Sequence, residues 1–363
     1  MSQTNPRTYA VVSHGITENA ERTVLKTVQI KWVPKGTIAV DYAVFSKEML
    51  DLKGGYIYGP AGSTTGLTVD HYGSIEDYYL PDEDSLVNKI EDWWTPGGTY
   101  HEIPEVSYPD PVFPDYPTPE IYMAKIDATQ DEHNTDLVLN ESKVYQIDEI
   151  NIESSSRVTI DVGNKDVKLI VNNLKVPQGH IIIKGSGTLK LYINNMDIGG
   201  GGDTVINHPD PPNEYMTMAH NQLVNSAKDA DVDDKKKASE NFEMYYYGSN
   251  DVNIDNNISL YGSLIVKEAI LTMDNSGDYV GGIVAGGDVN IKGNAKITTP
   301  LLYAPNSTVN VSGGQVNGPV IGNSVSLSGN SEVNYTPGSS HVPIPGSEGS
   351  GEANLTEGVA REQ

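Results

Sequence analysis

The chain has no cysteine among its 363 residues. That excludes disulfide staples and thiolate metal sites, and leaves packing and backbone ladders to hold the fold. It also lacks long apolar runs. Stretches such as Ile181–Ile183 are far short of the ~20 residues that cross a bilayer. Positive charge is scarce, with 24 Lys+Arg against 49 Asp+Glu for a net charge of −25. A field of that sign repels phosphate backbones and anionic lipid, so nucleic acid is excluded as a partner. The opening Met1–Pro6 has neither the charged segment nor the apolar core of a signal peptide.

Glycine (36), tyrosine (21) and proline (21) are abundant, and their placement organises the chain. Residues Thr8–Ser13 and Thr23–Trp32 alternate and are β-rich, flanking the polar turn His14–Asn19, which predicts a hairpin unit over 1–36. A first coil segment follows over 37–60. From 61 to 125 the sequence is acidic and rich in Tyr and Pro, and prolines at 104, 109, 111, 114, 117 and 119 favour an extended, polyproline-like excursion. Short β-branched runs punctuated by Gly or Asn fill 126–205. Between Glu214 and Glu243 there is no Gly or Pro, and one or two helices are expected within an insertion over 206–248. Coils are expected again over 249–338, then a flexible tail over 339–363.

A short unit sets the fold class. Val, any residue, an aliphatic residue, any residue, then two positions of Gly or Asn recur at Val252–Asn257, Val289–Asn294, Val309–Gly314 and Val325–Asn330. Leu50–Gly55 fits with Leu in place of Val. The last three starts are 20 and 16 residues apart, about one coil of a β-solenoid. Alternate side chains would point inward while Gly or Asn turns the corner in the left-handed region. Asn pairs beginning at Asn172, Asn194 and Asn256 would stack their amides from coil to coil, or serve independent turns. The expected fold is mainly β, a right-handed parallel β-helix with a small N-terminal hairpin unit and a helical insertion. A β-sandwich is the competing fold.

Candidate chemistry is sparse. No nucleophile elbow, zinc-binding helix or phosphate loop occurs, and the eight histidines are scattered. Asp251, Lys267, Asp288 and Lys292 are charges that an outer face could group for polysaccharide cleavage, or simply expose to solvent. Gly199–Asp203 reads as an anion cradle or, better, a hinge. Asp229, Asp231, Asp233 and Glu240 occupy positions 1, 3, 5 and 12 of a calcium loop. Position 6, however, is Asp234 rather than Gly, and Lys235–Lys237 would repel the cation, so a solvated helix connection is the better reading. Trp93, Trp94 and Tyr245–Tyr247 could stack on sugars or pack insertions onto the coils.

Two segments resemble a known family, the PilX-type pilus assembly proteins of Gram-positive bacteria. One is Asp41–Gly55 (DYAVFSKEMLDLKGG). The other is Gly262–Pro337, in which Leu302–Asn306, Val309–Gly313, Gly318–Gly322 and Ser324–Asn330 are similar to the family's closing coils. The resemblance implies a type IV pilus ectodomain, normally preceded by a pilin-like membrane helix that is not present in this sequence. The resulting expectation is a non-enzymatic, extracellular structural protein of the bacterial cell surface. Its partners would be other pilus or surface subunits and glycans, with calcium the one cofactor considered. The alternatives are a self-polymerising filament subunit resembling bactofilins and a polysaccharide-binding or polysaccharide-cleaving β-helix.

Overall fold

The structure is a computed structural model that describes residues 7–17, 20–33, 37–70, 73–88, 98–129, 134–199, 202–211, 214–255, 257–274, 277–335, 342–346 and 352–362. It is mainly β, and 29 of its strands belong to one hydrogen-bonded, parallel set. The chain returns to pair with itself at an interval that shortens from 24 residues (Val144 beside Lys168) to 17 (Val316 beside Val333).

The recurrent unit explains this pairing. Val289, Val309, Val325 and Leu50 lie in one parallel column, with Ile291, Val311, Leu327 and Leu52 in the next. All eight are buried, because alternate side chains of a strand share a face. The corners follow from the Gly/Asn positions. Gly54, Gly293, Gly313, Gly329 and Asn257 all have positive φ, between 57° and 89°, where a Cβ is costly for most residues. The second glycine of a pair is needed for closeness. A Cβ on Gly314 would sit 2.6 Å from Ile291 Cγ2, and one on Gly55 would sit 2.6 Å from Ser331 Oγ.

The spatial order differs from the sequence order. Val44–Ser46 and Met49–Lys53 pair in parallel with Val320–Ser328, and Tyr56–Ser63 pairs with Glu332–Asn334. The segment over 37–60 therefore stacks on the last C-terminal circuit rather than starting the stack. Much of the expected excursion over 61–125 is stack as well. Gly66–Val69, Ser74–Leu80, Leu86–Asn88 and Thr99–Glu102 add further rungs, and among the described residues the longest strand-free run there is 103–120.

Residues 103–120 form a strap that returns along the stack. Ile103 N–H donates to Leu80 O (3.0 Å) near one end, and Glu120 N–H donates to Val144 O (2.8 Å) near the other. Twelve inter-strand steps separate the terminal rungs that Ile103 and Glu120 join, or ~58 Å at ~4.8 Å per step. The seventeen residue steps from Ile103 to Glu120 cover ~53 Å as polyproline and ~58 Å when fully extended. A helix of that length would span only about half the distance, so the prolines hold the conformation the span requires.

Three further expectations are corrected. The hairpin strands are Arg7–Thr17 and Ala20–Val33, in register from Arg7 beside Ile30 to Thr17 beside Ala20. His14–Thr17 thus belongs to a strand rather than the turn, and Glu18 and Asn19 lie outside the described residues. The tail expected to be flexible contains a strand, Glu352–Glu362, paired antiparallel with Ala20–Val33, and Val342–Pro343 pairs with Thr37–Ile38. The insertion holds helices α1 (His220–Asp229) and α2 (Val232–Glu240), but Phe242–Tyr246, assigned to it from sequence, is a rung of the stack.

Leu327 lies between Val311 and Leu52 and is fully buried. Replacement of a buried leucine by alanine costs about 2–5 kcal/mol. Leu327→Ala is expected to lower the urea midpoint accordingly, and an unchanged midpoint would contradict the junction between the C-terminal and N-terminal rungs.

Candidate functional site

The outer surface of the stack presents three faces. On the first, parallel register aligns Ile170, Tyr192, Tyr245, Ile265, Val284, Tyr303, Ile321 and Phe45 in one outward column. The strap covers it. Tyr108 meets the Phe45 ring edge-on at 4.7 Å, and Tyr116 meets Tyr247 edge-on at 5.2 Å. The Tyr303 and Tyr247 hydroxyls donate to the Pro109 and Pro114 carbonyls, Asn306 Nδ2 to Asp110 Oδ1 (2.8 Å) and Asn194 Nδ2 to Tyr116 OH (2.9 Å). A polyproline segment makes no internal hydrogen bonds, so its carbonyls need outside donors. The tyrosines supply them. Tyr245 and Tyr247 are thus packing residues, and Trp93 and Trp94 lie outside the described residues.

Burial raises the pKa of these phenols. Tyr42, with Asp41 beside it, and Tyr247, with Asp115 beside it, are both pushed up to about 12, and Tyr108 and Tyr303 are raised too. The unfolded chain ionises near pH 10 while the folded one holds its protons, so stability present below pH 10 is lost as pH rises towards 12. Tyr303→Phe removes one hydrogen bond, worth about 1 kcal/mol, and is expected to speed proteolysis within 103–120. Unaltered cleavage would show that the hydroxyl does not hold the strap.

On the second face sit the helices, clamped by buried polar groups. Arg157, 1% exposed, donates from Nη1 to Tyr215 O (2.7 Å) and from Nη2 to Met218 O. Thr159 Oγ1 and Tyr215 OH share a hydrogen bond of 3.0 Å. His180 Nδ1 accepts from Val205 N–H (3.2 Å), which leaves Nε2–H to donate to His220 Nδ1 (2.9 Å). His208 Nδ1 accepts from Asp210 N–H (3.3 Å), and its Nε2 lies 2.9 Å from Ser226 Oγ, whose hydroxyl donates to Leu223 O. Lys235 bridges Asp278 (2.8 Å) and Lys228 O (2.7 Å). Val205, Val224, Ala227, Tyr261 and Val280 form the apolar seam beneath. Nothing in the sequence pointed to His180 and His220 meeting across 40 residues.

Burial holds both histidines neutral. His208 is lowered to about 4, and His180 well below its usual value by burial first, then by the His220, Arg157 and His208 charges. Above pH 6.5 neither the folded nor the unfolded state takes a proton. As pH falls from 6.5 towards 4, only the unfolded state does, so stability falls by up to about 1.4 kcal/mol per pH unit per ring. Protection of 214–240 against hydrogen exchange is expected to drop over that window before the stack opens. Equal protection at pH 7 and pH 4.5 would contradict the clamp.

On the third face, outward Asn253, Thr272, Asn290, Asn310, Ser326, Asp51 and Thr68 form a polar column. Its amides link from rung to rung, as with Asn310 Nδ2 to Asn290 Oδ1 (3.1 Å). The expected stacking of asparagine pairs also occurs lower down, Asn194 on Asn172 (3.0 Å) and Asn195 on Asn173 (3.1 Å). Asn256 lies outside the described residues.

The structure does not gather the charges considered for chemistry. Asp251 and Asp288 are two rungs apart on the third face, and Asp288 accepts from Thr308 N–H (2.9 Å). Lys267 lies over the Tyr247 ring (5.6 Å), on the strap side. Lys292 opposes Ser312 at the other strand end. Asp229 ends α1, Asp231 stands at the N-cap position of α2 without a side-chain capping bond, Asp233 is in the first turn of α2 and Glu240 in its last. Seven helical residues separate Asp233 from Glu240 by ~10 Å along the axis. Among the described residues, no three His, Cys, Asp or Glu side chains converge to hold a metal. Gly200 and Gly201 lie outside the described residues, and Asp203 pairs with Lys228 (3.4 Å). Among the described residues no helix is long and apolar enough to cross a membrane.

Fold and surface together define a mainly β protein built on one large parallel sheet. The chain belongs to the family described as a domain of unknown function, DUF7305, which matches residues 115–299, from the end of the strap through the helices to the middle rungs. No curated protein matches it. Among solved structures it is similar to the competence-associated pilin ComZ from Thermus thermophilus, at 9% identity over 98% of this chain and 81% of that chain, with a TM-score of 0.28. A superposition that loose carries no argument.

Proposed function

We propose that the chain is a non-enzymatic structural domain of the bacterial cell surface, a right-handed parallel β-solenoid associated with pili and displaying its outer faces to other subunits. The observation that carries this reading is the use of the buried titratable groups. His180, His208, Arg157, Tyr247 and Tyr303 each hold a covering segment onto the stack rather than meeting in a cleft. Catalytic groups instead need access to a substrate. The resemblance of Asp41–Gly55 and Gly262–Pro337 to PilX-type proteins supplies the pilus association.

Two measurements test the reading. Incubation with a panel of acidic polysaccharides is expected to release no unsaturated or reducing-end product, and release of either would overturn the non-enzymatic assignment. Immunogold labelling of cells bearing the native protein is expected to decorate the surface and its pili. Label confined to the cytoplasm would overturn the location.

A further inference from the structure

The helices cover only the lower part of the second face. Beyond them, one outward column continues in parallel register through Val280, Thr298, Asn317, Asn334 and Tyr58. Tyr56, two residues from Tyr58, stands beside it. The two rings are 38% and 46% exposed and lie nearly parallel, with centroids 6.4 Å apart and planes 15° apart. Unlike the tyrosines of the strap face, both stay more than a third exposed. Alongside the column runs a half-open groove of about 500 Å³, between the last turn of α2 (Lys236, Ser239, Glu240) and the corner prolines Pro300 and Pro319.

We propose that this column and groove bind an extended, uncharged glycan of equatorially linked pyranose rings. The two tyrosine faces suit the C–H face of such a ring, an apolar body with a polar rim. Asn334 Nδ2 donates to Asn317 Oδ1 (3.3 Å). That bond uses one of two donors on the first amide and one lone pair on the second, leaving both able to meet sugar hydroxyls. Thr298 adds a hydroxyl one rung further on. From Tyr58 to Val280 the column covers four rung steps, roughly 19 Å, on which about four pyranose rings fit end to end. Charge selects against acidic chains, since the molecule carries −25 overall while the groove is lined by one residue of each sign from α2, Lys236 and Glu240. A peptide adding as a strand needs a free sheet edge, whereas this is the face of a sheet whose backbone bonds are made. The site deepens the surface-protein reading by naming a partner class, and it requires no catalysis.

The test is calorimetric titration of the purified chain with cellotetraose and N-acetylchitotetraose, using axially linked maltotetraose as control. At least one equatorially linked tetramer is expected to bind and maltotetraose is not. The double variant Tyr56→Ala, Tyr58→Ala is expected to weaken binding about tenfold or more, as truncation of aromatic anchors does. Its melting temperature should fall by no more than a few degrees, because both rings are more than a third exposed. Asn317→Leu should weaken binding in the same direction. Failure of both equatorial tetramers to bind overturns the proposal, as does equal binding by the double variant. A wild-type dimer that becomes a monomer in that variant, read by light scattering, would assign the tyrosines to self-association and also overturn it. A tetramer that binds and is cleaved would leave the site standing and sink the non-enzymatic reading.

Discussion

In a parallel stack each side chain lies directly over its counterpart one rung away, at ~4.8 Å, so a column tends to be apolar or polar along much of its height. Here that constraint creates the interior, from Val289, Val309, Val325 and Leu50, and also an outward aromatic column that cannot be left to water. The strap answers the second consequence. Its length fits the height of the stack and its prolines keep it extended. Its carbonyls take the tyrosine hydroxyls that would otherwise be buried without partners.

The same rule makes the surface legible face by face. One outward column is apolar and covered by the strap, one is covered in part by α1 and α2, and one is polar and open. Several groups with displaced ionisation, His180, His208 and Tyr247 among them, sit under the two covers, where burial is the first cause of each displacement; Tyr279, raised by burial inside the stack, is an exception. Perturbed pKa values often mark active sites. Here His180, His208, Tyr247 and Tyr303 mark clamps, because their partners are the carbonyls and side chains of covering segments.

The recurrent unit could be read from sequence because its requirements are local, alternating inward aliphatics followed by a residue that tolerates positive φ. Gly54, Gly293, Gly313 and Gly329 meet that requirement in the structure. The order of the rungs could not be read. Leu50–Gly55 and Val325–Asn330 are equally compatible with any neighbour of the same pattern, and only the folded chain shows that they are adjacent. The aromatic column was hidden for the same reason, since Tyr192, Tyr245 and Tyr303 come together only through register. Phe242–Tyr246 was drawn into the insertion by the helix-like residues before it, whereas its alternation belongs to a strand. The carboxylates at Asp229, Asp231, Asp233 and Glu240 kept the spacing of a loop on a segment that is instead two helices.

Stacking of the N-terminal rungs on the last C-terminal circuit is the claim on which the strap, the ladder and the order of the stack all rest. Asp51 and Ser326 oppose one another across that junction, both outward, in a protein with no cysteine of its own. Directly opposed residues of parallel strands lie within disulfide reach. Oxidised protein carrying Asp51→Cys and Ser326→Cys should run as a monomer with an internal cross-link, its mobility shifted on a non-reducing gel and restored by reductant. A chain that stays unlinked, or links only between molecules, would contradict the account.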